Sequence, residues 1–366
     1  MNGLFYVKRN KIKKKQRNKE MINKRRITYY VQRYRPRYEA ISKEVSVLAN
    51  YFSKENRVKI HDLHLDGLFN FKFNRKRSSY HFFYYPVLFL HSYCLSKRSN
   101  VNHIYTSLGD LPYLNIINLN TTILTAAASC KIKKIKKRIK RLKKLKKIVV
   151  ESNKQKEELL ELGINPNKVR VIYPPVNLKE FNYYKPKGDF KILYASCPTR
   201  LSDFKKRGIN LIIETAKKHQ SAKFILAWRK GAYLDIKQLI NKSSLKNIII
   251  DNRIINDMNE IYGRTHCTII PYTKHDNYLK LIPNSALESL AAGKPILVSN
   301  KTEIAAFVDK ERCGVVFEPN ETSLLKAIIK LKNNYTKYQK NCRKTANKYF
   351  SRDDFVKEYE KIYKKI

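Results

Sequence analysis

The sequence predicts an α/β protein of two domains, each a parallel sheet covered by helices on both faces. Three observations lead there. The chain has 366 residues, enough for two domains of ordinary size. Its second half alternates short apolar runs with helical periods, the pattern of a parallel sheet with crossover helices. Between Tyr184 and Asp189 the apolar pattern lapses while Pro186 and Gly188 appear, which marks a linker. The expected division is a basic tail over 1–26, a first domain over 27–183, a second over 184–348 and a terminal helix over 349–366.

Ile27-Thr28-Tyr29-Tyr30-Val31 reads as the first strand. Ile41, Val45, Leu48, Ala49 and Phe52 then recur at a helical period within Glu39–Phe52. Thr121-Thr122-Ile123-Leu124-Thr125 is the next expected strand. Lys131 to Lys147 reads as one helix carrying Ile132, Ile135, Ile139, Leu142 and Leu145 on one side, followed by the strand Ile148-Val149-Val150. Lys154 to Gly163 reads as a helix. Past the linker, Phe190-Lys191-Ile192-Leu193-Tyr194 opens the second domain. Asn210–Lys218, Phe224–Ala227, Leu234–Ile240, Ile248–Asp251 and Thr268–Pro271 continue the alternation.

Composition narrows the class. Hydrophobic residues make up 43%, which supports real cores. The run from His81 to Cys94 is the longest apolar-aromatic stretch, is broken by Pro86, and falls short of the roughly 20 residues of a spanning helix. The apolar stretch before the first charges is too short for a secretory signal. Six cysteines (Cys94, Cys130, Cys197, Cys267, Cys313, Cys342) lie far apart with no CxxC pair, as reduced cytosolic thiols do. No GxGxxG occurs, so a dinucleotide fingerprint is absent.

Residues 282–299, IPNSALESLAAGKPILVS, are the most informative stretch. Pro283-Asn284-Ser285 turns into a helix with one internal carboxylate, Glu288, which stops at Gly293 before the strand Ile296-Leu297-Val298. A helix start offers outward N–H groups suited to phosphate, and a carboxylate one turn inside suits sugar hydroxyls. Leu287-Glu288-Ser289-Leu290-Ala291-Ala292-Gly293-Lys294-Pro295-Ile296-Leu297 resembles, nearly position for position, the nucleotide-sugar motif Leu-Glu-Ala-Met-Ala-x-Gly-x-Pro-Val-Ile. That motif belongs to retaining glycosyltransferases of the GT-B fold, family four.

The resemblance spans residues 27–366 and is most specific in the second domain. Glu151-Ser152-Asn153 with Lys154 to Gly163 resembles the strand-end serine and helix that close the family's first domain. Val169-Arg170-Val171-Ile172-Tyr173-Pro174-Pro175-Val176-Asn177 with Phe181 resembles its interdomain strand and turn, and the end from Tyr349 to Tyr363 its last helix, which crosses back to the first domain. It implies two Rossmann-like domains facing across a cleft, with the acceptor on the first. It also implies a nucleotide-diphosphate sugar as donor, no cofactor and no metal, since the leaving diphosphate meets fixed cations. By resemblance Arg200 is one such cation. The other is Lys206 by spacing or Arg207 by adjacency to Gly208. Glu288 is implied to accept the ribose hydroxyls, with Pro283, Asn284 and Ser285 at the phosphate end of the helix.

The chain departs from the family at three places. Lys280 stands eight residues before Glu288 where the family has a second Glu, with Asp276 nearby as a substitute acceptor. Leu124-Thr125-Ala126-Ala127-Ala128-Ser129 lacks the family's His. His103 and His61 are the alternatives, each more often a satisfied structural histidine. Arg33-Tyr34-Arg35-Pro36-Arg37-Tyr38-Glu39 replaces a Gly-Gly loop. No general base is assigned. In same-face transfer the leaving phosphate takes the acceptor proton, so none is required.

A formal net charge of +47 dominates the surface. Residues 8–26 carry eleven Lys or Arg in nineteen positions and residues 131–147 carry twelve in seventeen, and such clusters attract polyanions of any kind. With the aromatic run Tyr80–Tyr85, they suit a lipid-phosphate-linked glycan acceptor at the cytosolic membrane face. The 131–147 stretch reads either as a core-facing helix or as an interfacial membrane helix. The rival readings are a nucleic-acid-binding protein and an inactive scaffold with the same fold. Nucleic acid is disfavoured because no RNA-binding module or base-stacking signature occurs.

Overall fold

The computed structural model describes residues 24–36, 39–62, 81–107, 112–128, 132–229, 231–274, 280 and 282–366. The expectations placed on the tail before residue 24, on the side chains of the 80–85 run and on Asp276 lie outside the described residues. The chain divides into two compact units, formed by the described parts of Met1–Ala127, Lys131–Val171 and Val356–Ile366, and by those of Ala128–Cys130 and Ile172–Phe355.

The first unit is built from β1 (Arg26–Val31), α1 (Ala40–Phe52), β2 (Arg57–Asp62), α2 (His81–Arg98), β3 (Val101–Ser107), β4 (Thr122–Ala128), α3 (Ile132–Lys136), α4 (Ile139–Leu142), β5 (Lys147–Val150), α5 (Asn153–Glu161) and β6 (Val169–Val171). Its six strands form a parallel sheet in the order β2-β1-β3-β4-β5-β6. β4 is buried along its whole length, which is why it reads as a continuous apolar run. Ser152 caps α5 by accepting from the Gln155 amide at 3.1 Å.

The single helix expected over Lys131–Lys147 is instead two short helices. The chain breaks at Lys137-Arg138, where Arg138 adopts φ −111°, ψ 0°. A continuous helix here would place lysines three and four apart along every face, and such like-charge neighbours repel. The break turns Ile135, Leu142 and Leu145 into the core, while Ile132 stays 42% exposed. The stripe that would have entered a bilayer is therefore spent on packing. Among the described residues no helix is long and apolar enough to cross a membrane.

The second unit runs β7 (Lys191–Tyr194), α6 (Ile209–Lys218), β8 (Lys223–Ala227), α7 (Tyr233–Lys242), β9 (Ile248–Asp251), α8 (Asn259–Gly263), β10 (Cys267–Ile270), α9 (Asn284–Ala291), β11 (Ile296–Ser299), α10 (Ile304–Lys310), β12 (Gly314–Phe317), α11 (Glu321–Asn333) and α12 (Tyr335–Phe350). Its sheet is also six-stranded and parallel, ordered β12-β11-β10-β7-β8-β9. Alternate strand residues feed two cores. Ile192, Phe224 and Leu226 pack under Ile212 and Leu324, while Leu193, Ile225 and Val298 pack under Leu287 and Leu290. Burial on both faces makes these strands apolar throughout. The last helix, α13 (Arg352–Tyr363), begins in this unit, and the residues from Val356 onward belong to the first.

Candidate donor site

In the second sheet the chain steps outward from β7 through β8 to β9, then returns to lay β10 on the other side of β7. The order reverses between β7 and β10. Open parallel sheets bind ligands outside the carboxyl ends of the strands at such a reversal. Three segments meet that edge: the loop after Tyr194, residues Pro271–Thr273 and the start of α9.

The loop after β7 carries the expected cations, and it is tied to β10. Thr273 donates its amide to the Lys206 carbonyl at 3.1 Å and its hydroxyl to the Lys205 carbonyl at 2.9 Å. Gly208 closes the loop at φ +74°, and a Cβ there would lie 1.8 Å from the Pro271 carbonyl oxygen. Only glycine fits this approach. Arg207, directly before it, donates through Nη1 to Ser196 Oγ and to the Tyr272 hydroxyl, both at 3.2 Å. Lys206 pairs instead with Asp203 at 2.7 Å. Arg200 is exposed and extended before the turn Leu201–Asp203. Of the two candidates beside Gly208, Arg207 is thus the one held between the ends of β7 and β10.

The helix expected after Pro283 is present as α9, with Pro283 extended before it and the side chains of Asn284 and Ser285 half-buried in its first turn. Glu288, one turn in, is buried. Tyr262 on α8 donates to Glu288 Oε2 and to the Ser285 carbonyl, both at 3.2 Å. Burial, then the Glu288 carboxylate, pushes the Tyr262 hydroxyl well up, so it stays protonated and donating. Tyr262, Tyr272 and Ser196 were not singled out from sequence. Tyr272 does follow Pro271 directly at a strand end, where ligand-facing residues concentrate.

Lys294, inside the Gly-x-Pro element of the motif, is fully buried. Its Nζ donates to the Tyr184 carbonyl at 2.6 Å and lies 5.3 Å from the Tyr183 ring centre, which pins the linker to the unit it introduces. Burial drops its ammonium to about 8. Lys280 is half-buried, four residues ahead of α9.

The polar candidates of the first unit are committed to structure. His103 bonds Thr125 Oγ1 at 2.7 Å and the Tyr363 hydroxyl at 2.6 Å, and burial pushes it down to about 3. His61 bonds Ser92 Oγ at 2.8 Å and is lowered to about 4 by burial, then by His91 and Lys59. In the loop replacing Gly-Gly, the Arg35 amide donates to Ser42 Oγ, Ser42 donates to the Arg33 carbonyl, and Arg33 faces Glu39 at 3.9 Å.

Residues 185–349 match the family described as Glycosyl transferases group 1. This segment is a group 1 glycosyltransferase domain. Arg200, Lys206, Arg207 and the whole of α9 lie inside the group 1 domain. Sucrose-phosphate synthase from Thermosynechococcus elongatus superposes with a TM-score of 0.73 at 14% identity, covering 93% of this chain and 99% of its own. A glycosyltransferase from Rickettsia africae ESF-5 gives 0.71 at 18%, covering 94% and 98%. Anabaena HepE in complex with UDP-glucose gives 0.71 at 11%, covering 93% and 100%. These likenesses establish the GT-B fold for the chain. No curated protein matches it in sequence.

Proposed function

We propose that the chain is a retaining glycosyltransferase moving a sugar from a nucleoside-diphosphate donor onto a glycan or lipid-linked acceptor. The observation that supports this reading is Arg207, held by Ser196 and Tyr272 just past the ends of β7 and β10, with α9, the helix that carries Glu288, starting on the chain that leaves β10. One structural relative is bound to UDP-glucose, which supports a nucleotide sugar as donor here.

In this reading the bond between the anomeric carbon and the diphosphate oxygen breaks as the acceptor hydroxyl approaches from the same face. The acceptor's proton passes to the departing phosphate oxygen, and the nucleoside diphosphate leaves with the electron pair. Arg207, held rigidly by Ser196 and Tyr272, faces charge that grows on the leaving group, the kind of preorganised electrostatics that lowers such barriers. Arg200 and Lys206 add cations, so the diphosphate is met without a metal or other cofactor. Glu288 fixes the ribose. The acceptor belongs to surface glycan or glycolipid assembly, and the enzyme works peripherally at the cytosolic membrane face, drawn there by charge.

Hydrolysis of a panel of UDP- and GDP-sugars, with EDTA present, tests the reading. Turnover of at least one donor is expected, with donor binding weakened by about 1–3 kcal/mol in Glu288→Gln. No turnover and no nucleotide-induced rise in Tm across the panel would contradict it. Tight DNA binding at physiological salt in that case would point to a nucleic-acid protein.

A further inference from the structure

An open cleft of about 450 Å³ lies on the β8–β9 side of the second sheet. Its floor is apolar: Ile225 and Ile249 stand side by side in register on β8 and β9, and Ile249 is 50% exposed. Its rim is cationic, formed by Lys191, Arg253 and Arg264. Lys191 opens β7 and Arg264 precedes β10, so the cleft reaches toward the amino ends of those strands, whereas the donor loops leave their carboxyl ends.

The two guanidiniums are held together by one carboxylate. Asp251 accepts from Arg253 Nε and Nη2 at 3.0 and 2.8 Å and from Arg264 Nη2 at 3.0 Å. The bonds from Arg253, then that from Arg264, hold its carboxyl down at about 2, so the arrangement keeps its charges. A guanidinium has five N–H donors, and both heads are about half exposed, so donors remain for an anion. The pairs also reach α8. Glu260 on that helix accepts from Arg253 Nη2 at 2.7 Å, and Arg264 directly follows it. Two residues past Glu260, Tyr262 makes the bond that holds Glu288 Oε2. α8 therefore joins the ion pairs of the cleft to the carboxylate of the donor site.

We propose that this cleft is an effector site for a small organic anion, its charged head on Arg253 and Arg264 and its apolar body on Ile225 and Ile249, coupled to the donor site through α8. The cleft stands without the donor reading, and only the coupling rests on it. The head is a phosphate or a carboxylate, which share this chemistry and are separable.

Calorimetric titration of the full chain with phenyl phosphate, benzoate, inorganic phosphate and acetate tests it. An aromatic anion should bind about 10-fold tighter than the small ion with the same head, and the tighter of the two aromatic anions names the head. Arg264→Gln should weaken that binding about 10-fold or more. So should Ile249→Glu, which puts a carboxylate at an exposed strand position and leaves the Asp251 pairs in place, and which carries the test if Arg264→Gln fails to fold. Filling the cleft should change UDP affinity by about 3-fold or more, levelling off at saturation, and Ile249→Glu should remove the effect. The inference is overturned if the small ions bind as tightly as the aromatic ones, the mark of unspecific attraction to a basic chain. It is overturned equally if Ile249→Glu binds as wild type does, or if UDP affinity is unchanged. A loss of UDP affinity that never levels off also overturns it, because it marks competition at the donor edge. Wild type binding no nucleotide would fell the donor reading and the coupling with it, while the anion titrations of wild type and Ile249→Glu still decide the cleft.

Discussion

The Arg207 guanidinium lies 5.5 Å from the centre of the Tyr272 ring while its Nη1 donates to the Tyr272 hydroxyl at 3.2 Å. One side chain thus lies over the ring of, and bonds to, a residue two positions past the end of β10, and its second bond, to Ser196, reaches back to the loop after β7. A planar fork of donors can hold both partners at once, which a lysine ammonium at the end of a flexible stem does not.

Arg207→Lys should therefore bind nucleoside diphosphate more weakly than wild type, and Arg207→Ala should lose about 1.5–3 kcal/mol. Lys206→Ala, which breaks the pair with Asp203, should lose less than Arg207→Ala. Titration of the three variants with UDP and GDP gives the ranking, and a larger loss at Lys206 would reverse the assignment of the two cations.

Gly208→Ala should both destabilise and misplace the loop. The left-handed backbone alone costs an alanine about 1–2 kcal/mol, and the contact with the Pro271 carbonyl forces the loop away from β10. Thermal unfolding should fall by several degrees, on the order of 2 kcal/mol, and nucleotide affinity should drop in the folded fraction. A variant with unchanged Tm and affinity would show that the loop does not depend on this approach.

Lys294 gives the protein a signature at alkaline pH. Its folded ammonium sits at about 8, below the ordinary 10.5, because burial disfavours the charge. Below pH 8 folded and unfolded chains both hold the proton. Between about 8 and 10.5 only the unfolded chain holds it, so this residue's contribution to stability climbs with pH through that window and is lost again as pH falls through 8. The difference in denaturant unfolding between wild type and Lys294→Met should shift by on the order of 2 kcal/mol from pH 7.5 to 10.5. A pH-independent difference would mean the amine is not desolvated as placed.

The basic stretch 132–146 should bind membranes by charge alone, because Ile135, Leu142 and Leu145 face inward. Lys133, Lys136, Lys140 and Lys144 are exposed, and each is worth about 1 kcal/mol near an anionic bilayer. Replacing all four with Gln should reduce pelleting with phosphatidylserine vesicles, and salt should weaken wild-type binding steeply. Equal pelleting with neutral vesicles would contradict this.

The elements that the sequence makes plain are those whose pattern is undiluted. β4, β7, β8 and β11 are buried apolar runs, and α9 carries its motif on a turn, a carboxylate and a glycine stop. β3 is harder to see because Val101–Ser107 contains Asn102 and His103. Those polar side chains sit inside a sheet only because Asn102 meets Tyr30, Ser96 and Thr121, and His103 meets Thr125 and Tyr363. β2 hides for the opposite reason. It is an edge strand with Arg57, Lys59 and His61 among its six residues, and His61 alone of the six is buried. The break at Lys137-Arg138 was illegible because the apolar period runs on through it, and only packing decides where the stripe turns. Around the candidate site, Glu288 was singled out by local pattern and Gly208 only as a neighbour of Arg207. Tyr262 and Tyr272 were not, since their roles depend on which strand ends lie side by side.

Hydrogen exchange with and without UDP or GDP tests the placement of the donor most directly. Protection should concentrate in residues 195–208, 271–274 and 283–289, the segments gathered where β7 and β10 end, and Glu288→Gln with Arg207→Ala should abolish it. Nucleotide-induced protection that leaves those three segments unchanged and appears elsewhere in the chain would contradict the site.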